Sequence, residues 1–89
     1  MKKNKFVVIG LGKRGSTYIK LLEQNPRIDI IGVCDNDVKR NNNIGIKFFK
    51  DYKKMLSDVD FDCAVICTPP NTHYDIASYM VKNGKNIIV

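Results

Sequence analysis

The stretch "VVIGLGKRGS", Val7–Ser16, carries glycines at positions 10, 12 and 15 directly after an apolar run. The spacing G-x-G-x-x-G is a weak signal by itself, because glycine also marks ordinary turns. Its neighbourhood decides the reading. Phe6 to Ile9 is a short, unbroken run rich in β-branched residues, which suits a strand covered on both faces of a parallel sheet. After the glycines, Gly15, Tyr18, Ile19 and Leu22 recur at helical spacing until Asn25-Pro26 stops the helix. The glycines therefore join a predicted strand to a predicted helix.

Working outward, "IDIIGVCD" (Ile28 to Asp35) reads as a second strand. The polar stretch from Asp37 to Asn43 carries no clear period, and Gly45 then introduces a brief strand at Ile46 to Phe49. Tyr52, Met55 and Leu56 give one face of a short helix, and "DCAVICT" (Asp62 to Thr68) is the most apolar strand of the chain. Thr72 is placed to cap the next helix, with Asp75 three residues on in the capping-box position. Ile76, Ala77, Met80 and Val81 form that helix's inner stripe, Asn83-Gly84 stops it, and Asn86 to Val89 closes the chain as a strand. Alternating strands and helices with short connections predict a parallel sheet with right-handed crossovers. The expected fold is a doubly wound α/β unit of Rossmann type, five strands in the order 3-2-1-4-5.

In that setting each glycine has a task. Gly10 permits the tight turn, Gly12 lets the backbone approach a pyrophosphate, and Gly15 lets the helix pack against the strand. The helix N-terminus offers free N–H groups and the positive end of its dipole to the phosphates. A dinucleotide site also needs an acid at the end of the second strand, ~20 residues beyond the last glycine, and Asp35 stands there. Its carboxylate would accept hydrogen bonds from ribose hydroxyls and repel a 2′-phosphate, which favours NAD. Arg14, Lys39 and Arg40 lie close in sequence and could admit that phosphate, so NADP stays open.

The bulk properties narrow the partners. Eighty-nine residues make one small domain or a piece of a larger one, and the net charge of +6 comes from scattered lysines rather than a basic block. No recognition motif accompanies the charge, so nucleic acid is not the expected partner. Cys34, Cys63 and Cys67 each lie in an apolar run, and Cys63 and Cys67, four apart on one predicted strand, are too distant to bond each other. The chain has no paired CxxC motifs and a single histidine, which argues against a metal site. Reduced, space-filling thiols, no membrane-length apolar run and no signal-peptide pattern fit a cytoplasmic protein.

"CAVICTPPNTHYDIASYMVKNGKNIIV", from Cys63 to the end, with "GLGKRG" and "VCDND", resembles the N-terminal domain of the glucose–fructose oxidoreductase, inositol dehydrogenase and rhizopine-catabolism (Gfo/Idh/MocA) family. The resemblance covers essentially the whole chain, and the T-P-P-N-x-H segment, Thr68 to His73, is its most specific part. It implies an NAD(P)-dependent oxidoreductase acting on sugars, cyclitols, nucleotide sugars and related polyols. It further implies that Gly10, Leu11, Gly12, Lys13 and Arg14 line the pyrophosphate side and that Asp35 and Asn36 face the adenosine ribose. Cys67, Thr68, Pro69, Asn71 and His73 would border the cofactor toward its nicotinamide half, with His73 in a positioning or structural role.

In the family the last strand is followed by an E-K-P segment, whose lysine positions substrate and relays a proton, and by a substrate-binding domain. Residues 1–89 are therefore expected to be the cofactor-binding domain of a longer oxidoreductase, with no catalytic residue of their own. The apolar strand at Ile87 to Val89 would then be a bare sheet edge that invites pairing, so homo-oligomers are expected. A non-catalytic nucleotide-binding module, such as a redox sensor or a CoA-binding domain, is the alternative reading.

Overall fold

β1 (Asn4–Ile9) occupies the middle of the sheet because its alternate residues are apolar on both faces. The computed structural model describes residues 3–41 and 45–89. After β1 come α1 (Lys13–Glu23), β2 (Ile28–Cys34), a 3-10 turn (Val38–Arg40) and β3 (Phe48–Phe49). The chain continues through α2 (Tyr52–Asp58), β4 (Cys63–Ile66), α3 (Pro70–Lys82) and β5 (Asn86–Ile88). All strand pairs are parallel and the order is β3-β2-β1-β4-β5, as the alternation of elements predicts.

The period of two along the strands divides the core. Val7, Ile9, Ala64 and Ile66 pack with Met55, Phe61, Ile76 and Met80 in one cluster, which takes in residues of α2 and α3. Val8, Val33 and Val65 face the other way, with Leu11 and with Ile19 of α1. Met55, Met80 and Ala64 have no exposed surface.

Three local expectations shift. β3 is two residues rather than four, since it pairs only with the end of β2, where Val33 N donates to Lys47 O at 2.9 Å before the strand proper begins. Cys67 lies beyond β4 and is half-buried, so it is not part of the strand. Thr72 does not cap α3. That helix starts at Pro70, whose fixed φ and missing N–H suit a first helical position, with Pro69 (φ −55°, ψ 148°) extended before it. The Thr72 hydroxyl instead donates back to Pro69 O at 2.8 Å. The polar stretch after β2 forms the 3-10 turn, with the Asp37 carboxylate accepting from Lys39 N; the rest of that stretch, 42–43, lies outside the described residues.

Candidate functional site

The carboxyl ends of β1, β2 and β4 meet where the connections leave the central strand in opposite directions, the position at which open α/β sheets hold ligands. A cleft of about 950 Å³ opens there.

The glycine loop forms its floor, and the three glycines are constrained unequally. Gly10 adopts φ +95°, and a Cβ on it would lie 2.8 to 2.9 Å from backbone atoms of Cys67 and Thr68. A Cβ on Gly15 would overlap the Gly10 carbonyl oxygen. Both are required by the fold. Gly12, with φ −70° and ψ −162°, has a backbone any residue can adopt, and a Cβ there would meet only the Arg40 guanidinium, 3.3 Å from Nη1. Packing therefore does not demand a glycine at 12. As the N-cap of α1, Gly12 brings no side-chain acceptor to the first turn, which also carries no acid. The amides of that turn are left for a ligand.

Asp35 is buried, with 7% of its surface exposed. Its Oδ2 accepts from Leu11 N at 2.7 Å and its Oδ1 from Asp37 N at 2.8 Å, while Arg40 Nη1 lies 3.3 Å from Oδ2. The acid thus ties the glycine loop to the end of β2, a task its position in sequence did not reveal. A carboxylate offers about four acceptor positions, so capacity remains for one further donor. Burial pushes the Asp35 carboxyl up, but the Asp37 and Leu11 amides and the Arg40 guanidinium outweigh it and hold it below the usual value.

A carboxyl with a lowered folded-state pKa stabilises the fold fully above its unfolded value, ~3.9, and loses that contribution as pH falls through the folded value. Asp35→Asn is therefore expected to lower stability at pH 7 and to flatten the loss of stability below about pH 4. Urea unfolding across that range checks this; parallel pH profiles for the two chains would contradict it.

Arg14, Asn36, Cys67, Thr68, Pro69 and Asn71 line the cleft with Gly10, Gly12 and Asp35. Thr68 Oγ1 is buried without a hydrogen-bond partner. Leu11, Lys13 and His73 do not line it. The Leu11 side chain is buried in the α1 cluster, so only its main chain serves the loop, and Lys13 is exposed. His73 is half-buried, its Nε2 without a partner.

Conversely, Lys50 and Asp51 reach the cleft with no expectation attached to them, as does Tyr52, expected only as part of a helix face. Their signal was available: they follow β3, whose carboxyl end sits beside that of β2 in this strand order.

Burial, then the charges of Asp51 and Asp35, push the Cys34 thiol up to about 12. Burial also raises Cys67, against the opposing charge of Arg14. Both directions favour the thiol over the thiolate near neutrality. Among the described residues no three His, Cys, Asp or Glu side chains gather as metal ligands, and no helix is long and apolar enough to cross a membrane.

A parallel sheet with a glycine loop at its switch point and an acid at the end of the neighbouring strand defines a nucleotide-binding Rossmann domain. Residues 4–89 match the oxidoreductase family with an NAD-binding Rossmann fold (Gfo/Idh/MocA), and the chain belongs to that family. It is 26% identical to a glycosyl hydrolase family 109 protein of Streptomyces niveus, over 90% of this chain and 19% of that protein. It is 25% identical to the rhizopine catabolism protein MocA of Rhizobium meliloti, over 91% of this chain and 26% of that one. Among solved structures, GenD2 from gentamicin A biosynthesis, in complex with NAD, superposes with a TM-score of 0.91 at 25% identity, covering 98% of this chain and 26% of GenD2. The chain thus spans about a fifth to a quarter of the proteins it resembles.

Proposed function

We propose that residues 1–89 are the cofactor-binding domain of an oxidoreductase that moves a hydride between a nicotinamide dinucleotide and a sugar, cyclitol or nucleotide-sugar substrate. The observation that carries this reading is Gly12, a bare position on the cleft floor whose lack of a side chain the fold itself does not require. A pyrophosphate seated against the backbone gives that bareness a use.

When bound, the dinucleotide supplies the hydride chemistry. The chain's own residues bind and orient it. The main chain of Gly10 to Lys13 and the Arg14 side chain hold the pyrophosphate. The free acceptor capacity of Asp35, with Asn36, takes the adenosine ribose and favours NAD. Cys67, Thr68, Pro69 and Asn71 wall the nicotinamide half, where the unpartnered Thr68 hydroxyl finds a hydrogen bond. His73 acts from behind this wall in positioning α3.

No residue of 1–89 is assigned to proton transfer. Substrate recognition and acid–base chemistry belong to the remainder of a protein of the relatives' length. The family and the relatives' names, rhizopine catabolism and glycosyl hydrolase, support a saccharide-like substrate. The mixed charge of the cleft, with Arg14, Arg40 and Lys50 against Asp35, Asp37 and Asp51, speaks for a small ligand over nucleic acid. The reduced cysteines suit the cytoplasm.

Equilibrium titration with NADH and with CoA tests the reading. NADH is expected to bind at least about ten-fold more tightly than CoA, ~1.4 kcal/mol. Preference for CoA would favour the non-catalytic module instead.

A further inference from the structure

Arg40 closes the 3-10 turn after β2 and lies over the one loop glycine that packing does not demand. Its Nη1 is 3.3 Å, and its Cζ 3.9 Å, from where a Gly12 Cβ would be. Apart from the neighbours of Gly12 in the chain, only Arg40 among the described residues comes within 4 Å of that point. Two carboxylates hold the guanidinium, both loosely. Nη1 is 3.3 Å from Asp35 Oδ2, and Nε is 3.8 Å from Asp37 Oδ2. Charge-assisted N–H···O bonds close to about 2.7–2.9 Å, so neither contact is tight. The side chain is half exposed, and among the described residues its donors make one hydrogen bond, to Asp35. Asp35, Asp37 and Arg40 together carry a net negative charge, but the positive member is the one set against Gly12. From the other side α1 brings Arg14, which lines the same cleft and lies near enough to Cys67, beyond β4, for its charge to be felt there. Two cations thus flank Gly12.

We propose that Arg40 is a diphosphate ligand: on binding, its guanidinium leaves Asp35 and donates to the oxygens of a diphosphate seated against Gly12, a role blind to the ribose 2′ position. The inference rests on the cleft being a dinucleotide site. Both phosphates of such a bridge are ionised, and a guanidinium suits them as a planar fork of donors. The exchange serves two parts of the ligand at once. The diphosphate gains a donor, and Asp35 Oδ2 regains an acceptor position for a ribose hydroxyl. The guanidinium also stands between the diphosphate and the Asp35 and Asp37 carboxylates, which would otherwise face it as like charges. An exposed ion pair holds its partners together by a factor of about five at most. A charge-assisted hydrogen bond to phosphate is worth about ten- to hundred-fold in affinity, so the exchange is favourable.

The test is fluorescence titration of the chain, Arg40→Ala and Arg40→Lys with NADH and with NADPH, each protein with its melting temperature. Inorganic pyrophosphate is then titrated against bound NADH to give its own competition constant. Arg40→Ala is expected to weaken NADH and NADPH alike by about two- to twenty-fold, the bond to phosphate less the release from Asp35. Pyrophosphate should weaken by a similar factor. Arg40→Lys, which keeps the charge without the planar fork, should fall between. A loss confined to NADPH would put the guanidinium on the 2′-phosphate. A loss for both dinucleotides with pyrophosphate unchanged would put it on the base or the sugar. Either result, no loss at all, or pyrophosphate that fails to displace NADH from the unmodified chain would overturn the inference while leaving the dinucleotide site standing. Binding of neither dinucleotide by the unmodified chain would remove the site, and this inference with it.

Discussion

Gly12→Ala is expected to leave the chain folded and to weaken NADH binding by about ten- to hundred-fold, the worth of one charge-assisted hydrogen bond to phosphate. The new methyl would meet only the outer end of the Arg40 side chain, which is free to move aside, and the Gly12 backbone sits where alanine is at ease. Alanine is a poorer N-cap than glycine, a loss of roughly 0.5 to 1 kcal/mol. For a domain of this size that lowers the melting temperature by several degrees, about 4–8 °C per kcal/mol. The ligand has less freedom. A pyrophosphate seated on the α1 amides must retreat from a methyl group, and bonds to ionised oxygens weaken steeply with distance and angle. Thermal melts beside NADH titrations separate the two effects. Unchanged affinity in a folded variant would place the phosphates elsewhere.

Gly15→Ala is expected to act on the fold itself. Helix propensity alone predicts the opposite sign, because alanine inside a helix is favoured over glycine by about 1 kcal/mol. Here, however, the added Cβ would fall on the Gly10 carbonyl oxygen, a backbone atom with no rotamer to change. To make room, α1 must draw away from the end of β1, disturbing the Gly10 N to Cys34 O bond and the Leu11 N to Asp35 bond. Overpacking a core typically costs about 1–3 kcal/mol, and backbone overlap belongs at the upper end or beyond. Against a total stability of roughly 5–15 kcal/mol, the net result is a melting temperature lower by more than ~10 °C. Calorimetry or urea unfolding reads it directly. A stabilised variant would mean that α1 does not approach the loop this closely.

The strand order was legible because few residues blurred the periods: the apolar runs at β1 and β4, the helical spacing of Tyr18, Ile19 and Leu22, and the stops at Asn25-Pro26 and Asn83-Gly84. Boundaries set by tertiary partners were not legible. Ile46 is apolar and next to Lys47, yet β3 begins only at Phe48, where pairing with Val33 of β2 starts. Thr72 has the chemistry of a cap, but two prolines upstream had already fixed the start of α3.

At the site, its place at the end of the second strand marked Asp35 as the acid expected beside a ribose. The structure adds that most of its acceptor capacity is spent within the chain. That allocation depends on how the loop folds over the strand end, which no local pattern encodes. The same holds for Leu11, Lys13 and His73, three positions drawn from neighbouring motifs that do not line the cleft. Arg40 is the reverse case. In sequence it is one basic residue among many, and only the 3-10 turn brings it against Asp35.

An NADH titration of the isotope-labelled chain, read amide by amide, bears most directly on whether the glycine loop seats a pyrophosphate. Saturable shifts are expected to concentrate at Gly10, Leu11, Gly12 and the first turn of α1, with smaller ones at Asp35, Asn36 and Thr68, and none at the far ends of the strands. Shifts absent from the loop at ~1 mM NADH, a ligand level at which even a weak site of ~4 kcal/mol is half filled, would contradict it.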